Sequence, residues 1–254
     1  MNNERVKALV LPVAAIVTLE IWARATHIQS DSLAPPSAVA AALLGAFGDG
    51  SIVIATRDTL ASALAGLCIG SAIGLAFGIA LGIVKPFDRL MEVTIEALRP
   101  IPSIALLPIA LIALGFGYRM EIAITGFACV WPMLIMSRDA VRGIEPRLIE
   151  VARALRLSAP DRVTKIIIPA ALPRIFLAFR LAAGIALIVT VTVEITINPI
   201  GLGAGIMTAQ QALRPDLMLA YLVWIGIVGS ALNSALVLAQ RHWFSRAAWI
   251  GSPA

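Results

Sequence analysis

Two carboxylates, Glu20 and Glu194, lie inside long apolar runs of the 254-residue chain. An ionisable side chain in such a run often belongs to an ion or proton pathway, and a hydrogen bond between helices is the competing interpretation. The two histidines, His27 and His242, lie at the edges of apolar runs, where a solvated position is favoured over a catalytic one. These residue types therefore fit the chemistry of a membrane pathway better than that of an enzyme.

Other patterns that carry chemistry are missing from the sequence. It contains no GxxxxGK[ST] phosphate loop, so we expect any nucleotide hydrolysis to belong to another chain. Cys68 and Cys129 lie within apolar runs and have neither metal-ligand nor disulfide spacing, and the aspartates are scattered. We therefore expect this chain to bind no metal and no cofactor.

The composition indicates the scaffold that must position these residues. Hydrophobic residues make up 59% of the chain, charged residues only 14%, and the mean hydropathy is +0.92. Because soluble domains carry roughly a quarter charged residues, we predict an all-α membrane protein surrounded by lipid. A single domain, residues 1–254, is expected to contain about six transmembrane helices, at residues 8–23, 60–84, 90–114, 120–136, 176–197 and 217–239.

Six spans place both termini on one side of the membrane, and the basic residues indicate which side. With the termini in the cytoplasm, and Arg99 counted there, 16 of the 20 Lys and Arg residues are cytoplasmic and four are outside. The pI near 9.9 then reflects topology and requires no nucleic-acid partner. We predict a multi-pass protein of the bacterial cytoplasmic membrane.

A loop with a short helix is expected between the first two spans. Pro35 and Pro36 precede it, Ser37 is placed to cap it, and it should run through about Phe47. The loop is expected to lie at the outer face.

A stripe of small residues marks the second predicted span. Its glycines recur at intervals of four and form a groove along the helix, at Gly66, Gly70, Gly74, Gly78 and Gly82. Such a groove lets another helix backbone approach closely, so we predict helix packing here in preference to ligand contact.

Prolines interrupt the third predicted span, after a tight turn expected at residues 85–89. Pro100, Pro102 and Pro108 each remove a backbone donor, and non-helical backbone in a membrane must lie within protein or beside water. A broken helix often lines a substrate path, and a packing kink is the alternative. We therefore take these prolines, with Ser103 and Glu194, as candidate translocation-pathway residues.

The longest polar passage, residues 141–173, lies between the fourth and fifth predicted spans. Leu148, Val151 and Leu155 follow Ile144 at helical spacing, which predicts an amphipathic helix over residues 145–157. The helix could dock a soluble partner or rest on the anionic leaflet of the membrane, and the residues alone do not decide between the two.

A second helix is predicted directly after the first. Ser158 and Asp161 form a capping box, and Asp161 is placed to pair with Lys165 one turn later. Pro169 and Pro173 are expected to end this helix, which makes the passage a helix, a bend and another helix.

The passage resembles the EAA loop of binding-protein-dependent ABC importer permeases. The family pattern is Glu-Ala-Ala, three residues, Gly, nine residues, Ile, any residue and Leu-Pro. This chain keeps the spacing, with Glu150-Val151-Ala152, Arg156, Ile166 and Ile168-Pro169. Its main departure is Arg156, because a left-handed bend costs a residue other than glycine about 1 kcal/mol or more. A left-handed Arg156 would preserve the family's docking geometry, whereas a helix continuing through it would lengthen the contact surface.

Further similarities point to the permeases for nitrate, sulfonate, taurine and related small solutes. They are LAPPSAV at residues 33–39, LRPIPSIALLP at residues 98–108, and Glu194 followed by Gly201-Leu202-Gly203. The resemblance implies a MetI-like type I ABC importer fold, with two permease subunits, most simply a homodimer. It also implies a cytoplasmic ATPase dimer that binds ATP and Mg, an outer solute-binding protein, and transport by alternating access.

The resemblance also assigns roles within the loop. The first helix would fit a groove on the ATPase, with Glu150 as the charged contact and three apolar knobs. The expected contact residues are Glu145, Leu148, Glu150, Val151, Ala152, Leu155, Arg156 and Leu157, and those that set the loop's architecture are Ser158, Asp161, Ile166 and Pro169.

Two other functional classes remain open from the residues alone. An ion-coupled secondary transporter would use Glu20, Glu194 and the broken third span, although no inverted repeat is evident. An intramembrane enzyme would need a catalytic cluster, which the histidines and aspartates do not form. Neither the basic charge nor Arg99 alone distinguishes an anionic solute from a neutral one.

Overall fold

The computed structural model describes residues 2–25 and 33–245, which are helical apart from short connections. The helices are α1 (Asn2–Ala25), α2 (Pro36–Gly48), α3 (Ser51–Ile83), α4 (Lys85–Leu98), α5 (Leu107–Leu114), α6 (Tyr118–Arg142), α7 (Pro146–Ala154), α8 (Ala159–Arg162), α9 (Ile168–Thr196), α10 (Gly201–Gln211) and α11 (Pro215–Ser245). A 3-10 helix, Ser103–Leu106, precedes α5, and a π-helical turn, Val163–Ile167, joins α8 to α9. The described residues contain no strand, so the all-α prediction is confirmed.

Several of these helices are long and apolar enough to cross a membrane. Within the described chain they lie in Ser51–Ile83, Tyr118–Arg142, Ala159–Gln211 and Pro215–His242, and a fifth candidate is the pair Lys85–Leu98 and Ser103–Leu114, bent by 81°. These five coincide with the second to sixth predicted spans. The first predicted span falls within α1, where the side chains of residues 2–9 and 12 are not described. His27 lies outside the described residues.

The described residues form two compact units. The first comprises the described residues up to Asp58 together with Glu194–Val228. The second comprises Thr59–Val193 and the described residues from Gly229 onward. The boundaries fall within α3, α9 and α11.

In the first unit, α2 and α10 pack with the adjoining turns of α3 and α11. Ile52, Leu202 and Tyr221 are buried at the centre of this cluster. The rings of Phe47 and Trp224 meet edge to face, with centroids 4.8 Å apart. These contacts hold α2 against the other helices of the first unit.

The start of α2 differs from the prediction. The hydroxyl of Ser37 does not cap the helix. Instead, the Ser37 backbone N–H and hydroxyl donate to the two carboxylate oxygens of Glu20 in α1, at 2.9 and 2.7 Å. The capping prediction was wrong because a carboxylate from another helix supplies the acceptor, which local sequence does not reveal.

In the second unit, α3, α6 and α9 form the main core. The glycine stripe of α3 lies against the backbone of α6. A Cβ atom added at Gly78 would lie 2.5 Å from the carbonyl oxygen of Leu134, and one at Gly70 would overlap the carbonyl oxygen of Gly126. On the other side of α6, the buried Cys129 has its Sγ 3.6 Å from the carbonyl oxygen of Ala182 in α9. Small residues therefore allow both neighbours to approach α6 closely.

The tight turn expected at residues 85–89 is absent, because α4 begins at Lys85. Only Val84 separates α3 from α4. Pro86 lies in the first turn of α4, where its missing N–H would have no helical partner. The buried Ile95 holds α4 against Leu81 of α3 and other core residues.

Candidate functional site

The first helix of the EAA loop, residues 141–173, is shorter than predicted but has an exposed apolar face. Helix α7 spans Pro146–Ala154. Leu148, Val151 and Leu155 are 39%, 50% and 65% exposed, respectively, and lie at spacings of three and four residues. Ala152 is only 1% exposed, so it belongs to the interior and not to the contact face.

The apolar residues whose spacing predicted this helix do not all lie on one face. Ile144 is buried in the main core, although it was grouped with the exposed leucines by spacing. It precedes α7, so helical spacing does not apply to it. Glu145 and Glu150 are exposed, and Glu150 lines a cavity of about 830 Å³ together with Arg162 and the first turn of α4. Helix α7 and Leu155, the residue that directly follows it, thus expose three apolar side chains and the Glu150 carboxylate.

The bend after α7 is left-handed at Arg156, where φ is +51°. The backbone N–H of Leu157 donates to the carbonyl oxygen of Ala152 at 3.1 Å. This is the bond from the second residue beyond the helix to its last turn that defines a Schellman motif. Arginine therefore adopts the conformation for which the family pattern has glycine, and the first helix does not run through the bend.

The second helix begins with the predicted capping box. The Asp161 backbone N–H donates to Ser158 Oγ at 3.3 Å, and the Ser158 hydroxyl donates to Asp161 Oδ2 at 2.5 Å. Lys165 Nζ lies 2.7 Å from Asp161 Oδ1. These reciprocal hydrogen bonds between Ser158 and Asp161 cap the N-terminus of α8, so the helix begins directly after the bend.

Pro169 and Pro173 do not end the second helix, contrary to the prediction. The π-helical turn, which contains Ile166, continues α8 into α9, and Pro173 lies inside α9. The Ile168 N–H bonds to the carbonyl oxygen of Val163, five residues earlier. This wider register precedes Pro169, which has no N–H to donate, and lets the helix pass it. The second half of the loop is therefore continuous with a span.

A buried ion pair lies at the start of the EAA loop. Asp88, in the first turn of α4, is 5% exposed. Arg138 Nη2 donates to Asp88 Oδ2 at 2.9 Å, and Arg142 also pairs with this carboxylate. These contacts tie α4 to the last turn of α6.

Sequence reasoning missed Asp88 because it placed that residue in a turn. The available signal was the spacing of Arg138 and Arg142. Two arginines four residues apart at the end of an apolar helix lie on one face and need a shared counter-charge.

The candidate pathway residues separate into two places. Pro100, Pro102 and Ser103 form the bend between α4 and α5, and Pro108 lies in the first turn of α5. Ser103 lines a cavity of about 360 Å³ in the second unit, together with Arg99. Arg99, counted with the cytoplasmic residues, therefore lies in the middle of the broken segment.

Glu194 is not among the residues that line this cavity. It is 2% exposed in the first unit, and its Oε2 accepts the backbone N–H of Gly203 at 2.8 Å. Gly201 has a φ of +91°, and a Cβ atom there would overlap the Glu194 carboxylate. Glu194 thus binds the N-terminus of α10, as Glu20 binds that of α2.

Comparison with known proteins shows the family. Residues 70–249 match the inner membrane component of binding-protein-dependent transport systems. The chain belongs to this family. This permease is similar in sequence to a Methanocaldococcus jannaschii protein that bears the name of an ABC transporter permease, with 32% identity over 96% of this chain and 92% of the relative.

Two further relatives of the permease are named for their solutes. SsuC of Bacillus subtilis, named as an aliphatic sulfonates transport permease, is 27% identical over 92% of this chain and 85% of its own. CmpB of Synechococcus elongatus, a bicarbonate transport system permease, is 34% identical over 64% of this chain and 58% of its own. The resemblance to the nitrate and sulfonate group of permeases is thereby confirmed.

A solved structure confirms the fold class. The inward-facing MetNI methionine ABC transporter superposes with a TM-score of 0.66 and 21% identity, over 73% of this chain and 93% of that chain. The permease therefore has the predicted MetI-like transmembrane fold.

Proposed function

We propose that this permease is the membrane subunit of an ATP-driven importer. A small solute delivered by an outer binding protein crosses the bacterial cytoplasmic membrane through a pair of permease subunits. A cytoplasmic ATPase dimer binds ATP and Mg, and its closure favours one of two access states of the spans, because ATP binds the two states with different affinity. The permease binds no cofactor of its own.

The exposed face of α7 is the observation that carries this proposal. Leu148 and Val151 are exposed on a polar helix outside the long spans, and Leu155 is exposed directly after it. A chain without a partner gains nothing from exposing three apolar side chains there. The left-handed Arg156 preserves the bend on which the family's docking depends. Both observations favour insertion of α7 into a groove on a soluble ATPase.

The solute is proposed to be a small anion of the sulfonate, nitrate or bicarbonate kind. Support comes from the relatives that are named for sulfonates and bicarbonate. Specificity in such a system is shared with the binding protein, which is a different chain.

The test is a charge reversal on α7. In proteoliposomes that contain the permease, its ATPase and its binding protein, Glu150→Lys should lower solute-stimulated ATP hydrolysis by about tenfold or more. The reason is that an unmatched charge in a docked interface costs about 2–5 kcal/mol. Glu92→Lys is the matched control, because Glu92 is an exposed glutamate of α4 outside the loop.

Full coupling in the Glu150→Lys variant would refute the proposal. An ion-coupled transporter would instead show uptake that survives ATP depletion and collapses with the proton gradient. The contacts of Glu20 and Glu194 disfavour that class, since both carboxylates already bind helix N-termini.

A further inference from the structure

The cavity at the bend between α4 and α5 has an unusual lining. It measures about 360 Å³, within the range of small-molecule sites, and borders the bend and one face of α6. The lining residues with polar side-chain groups are Arg99, Ser103 and Trp131. Each can donate a hydrogen bond, and no carboxylate is among the described lining residues.

These donors have no acceptors in the described chain. The Trp131 Nε1–H makes no hydrogen bond there, but it is buried and does not open onto the cavity. The Arg99 guanidinium and the Ser103 hydroxyl likewise make no hydrogen bond or ion pair within residues 2–25 and 33–245. Arg99 is exposed and Ser103 is half-buried, so the side chains of both can donate to a ligand in the cavity that accepts hydrogen bonds.

Three arginines in the helices of the second unit have side-chain partners. Arg138 and Arg142 bind Asp88, and Arg180 in α9 donates to Asn233 Oδ1 at 2.9 Å. Arg99 lies between the two halves of a broken span, and no described carboxylate pairs with it. A cation within a membrane segment is costly unless it is paired or serves a solvated path.

We propose that Arg99 and Ser103 bind a small oxyanion, of the sulfonate or nitrate kind, on the solute's route through the permease. The guanidinium supplies the charge and a planar pair of donors, and the hydroxyl supplies a further donor. The apolar remainder of the lining, which includes Phe127 and Leu181, suits an anion with a small organic group. This inference rests on the proposed transport function and assigns the solute's charge.

Site-directed labelling in the assembled complex tests the site. The exposed Cys68 is replaced by serine, the buried Cys129 is kept, and Ser103→Cys provides the reactive thiol. Its labelling rates are measured with sulfonatoethyl methanethiosulfonate, which carries a sulfonate, and with the cationic trimethylammonium analogue. A nearby unit charge changes the local concentrations of the two reagents in opposite directions.

We expect Arg99→Gln to lower the ratio of anionic to cationic labelling by about tenfold, and Arg99→Lys to retain most of it. Arg89→Gln is the matched control, because it removes a positive charge from α4 outside this cavity. An unchanged ratio in Arg99→Gln would overturn the proposal.

A second measurement keeps Arg99 in place and so does not depend on how well the Arg99→Gln variant folds. Ethanesulfonate should slow labelling of Ser103→Cys by the neutral methyl methanethiosulfonate at least about threefold, and choline at the same ionic strength should not. Lack of protection would also count against the site. Because labelling needs no ATP hydrolysis, it can fail while the Glu150→Lys test succeeds, and the reverse also holds.

Discussion

Replacing Gly70 with alanine places a methyl group where the backbone of α6 already lies. The added Cβ atom would overlap the carbonyl oxygen of Gly126 and lie 2.9 Å from the Cβ of Cys129. Because the main obstacle is backbone, no side-chain rotation relieves the contact, and α3 has to move away from α6. Overpacking of this kind costs about 1–3 kcal/mol.

Gly184 of α9 provides a matched control. A Cβ atom there would meet nothing within 4 Å. Alanine is more favourable than glycine in a helix interior by about 1 kcal/mol, so Gly184→Ala should be neutral or slightly stabilising. Both exchanges add one methyl group to an apolar helix and differ in what that group meets.

Thermal unfolding of the purified protein in detergent, followed by size-exclusion retention, measures the difference. A chain of this size shifts its midpoint by about 2–4 °C per kcal/mol. We therefore expect the midpoint of Gly70→Ala to lie about 2–12 °C below that of Gly184→Ala. Equal midpoints would refute the inference that the glycine stripe is a contact surface for α6.

Two further exchanges test the EAA loop with the same assay. Arg156→Gly should raise the midpoint, because glycine adopts a φ of +51° without the cost of about 1 kcal/mol that a side chain incurs there. Arg156→Ala keeps that cost and should not raise it. Asp88→Asn leaves Arg138 and Arg142 without a counter-charge and should destabilise the fold by about 3 kcal/mol, the lower end for buried pairs because Arg142 is 37% exposed. A midpoint no lower than that of the exposed Asp139→Asn would contradict the latter expectation.

Local chemistry made parts of the fold and site predictable. Glycines that recur every four residues lie on one helix face, and the structure shows α6 packed against that face of α3. Ser158 and Asp161 lie within one turn of each other, so their capping box follows from sequence alone. The prolines after Leu98 break the third segment at the predicted place because each acts on its own backbone.

Contacts between distant residues were not predictable in the same way. Glu20 and Ser37 are far apart in sequence, so the local rule assigned the cap of α2 to Ser37 itself. The π-helical turn before Pro169 has no sequence signature, and the helix was therefore expected to end there. Asp88 was placed in a turn because the buried arginines that bind it lie on another helix.

The contacts of Asp88 have a mechanical consequence. They join the first turn of α4 to the end of α6, where the EAA loop begins, and the other end of α4 is the bend at Arg99. Helix α4 has 14 residues and is therefore about 21 Å long. A helix of this length transmits an axial push with little compression, because its hydrogen bonds resist shortening. Displacement at the start of the EAA loop would therefore reach the walls of the Arg99 cavity with little loss.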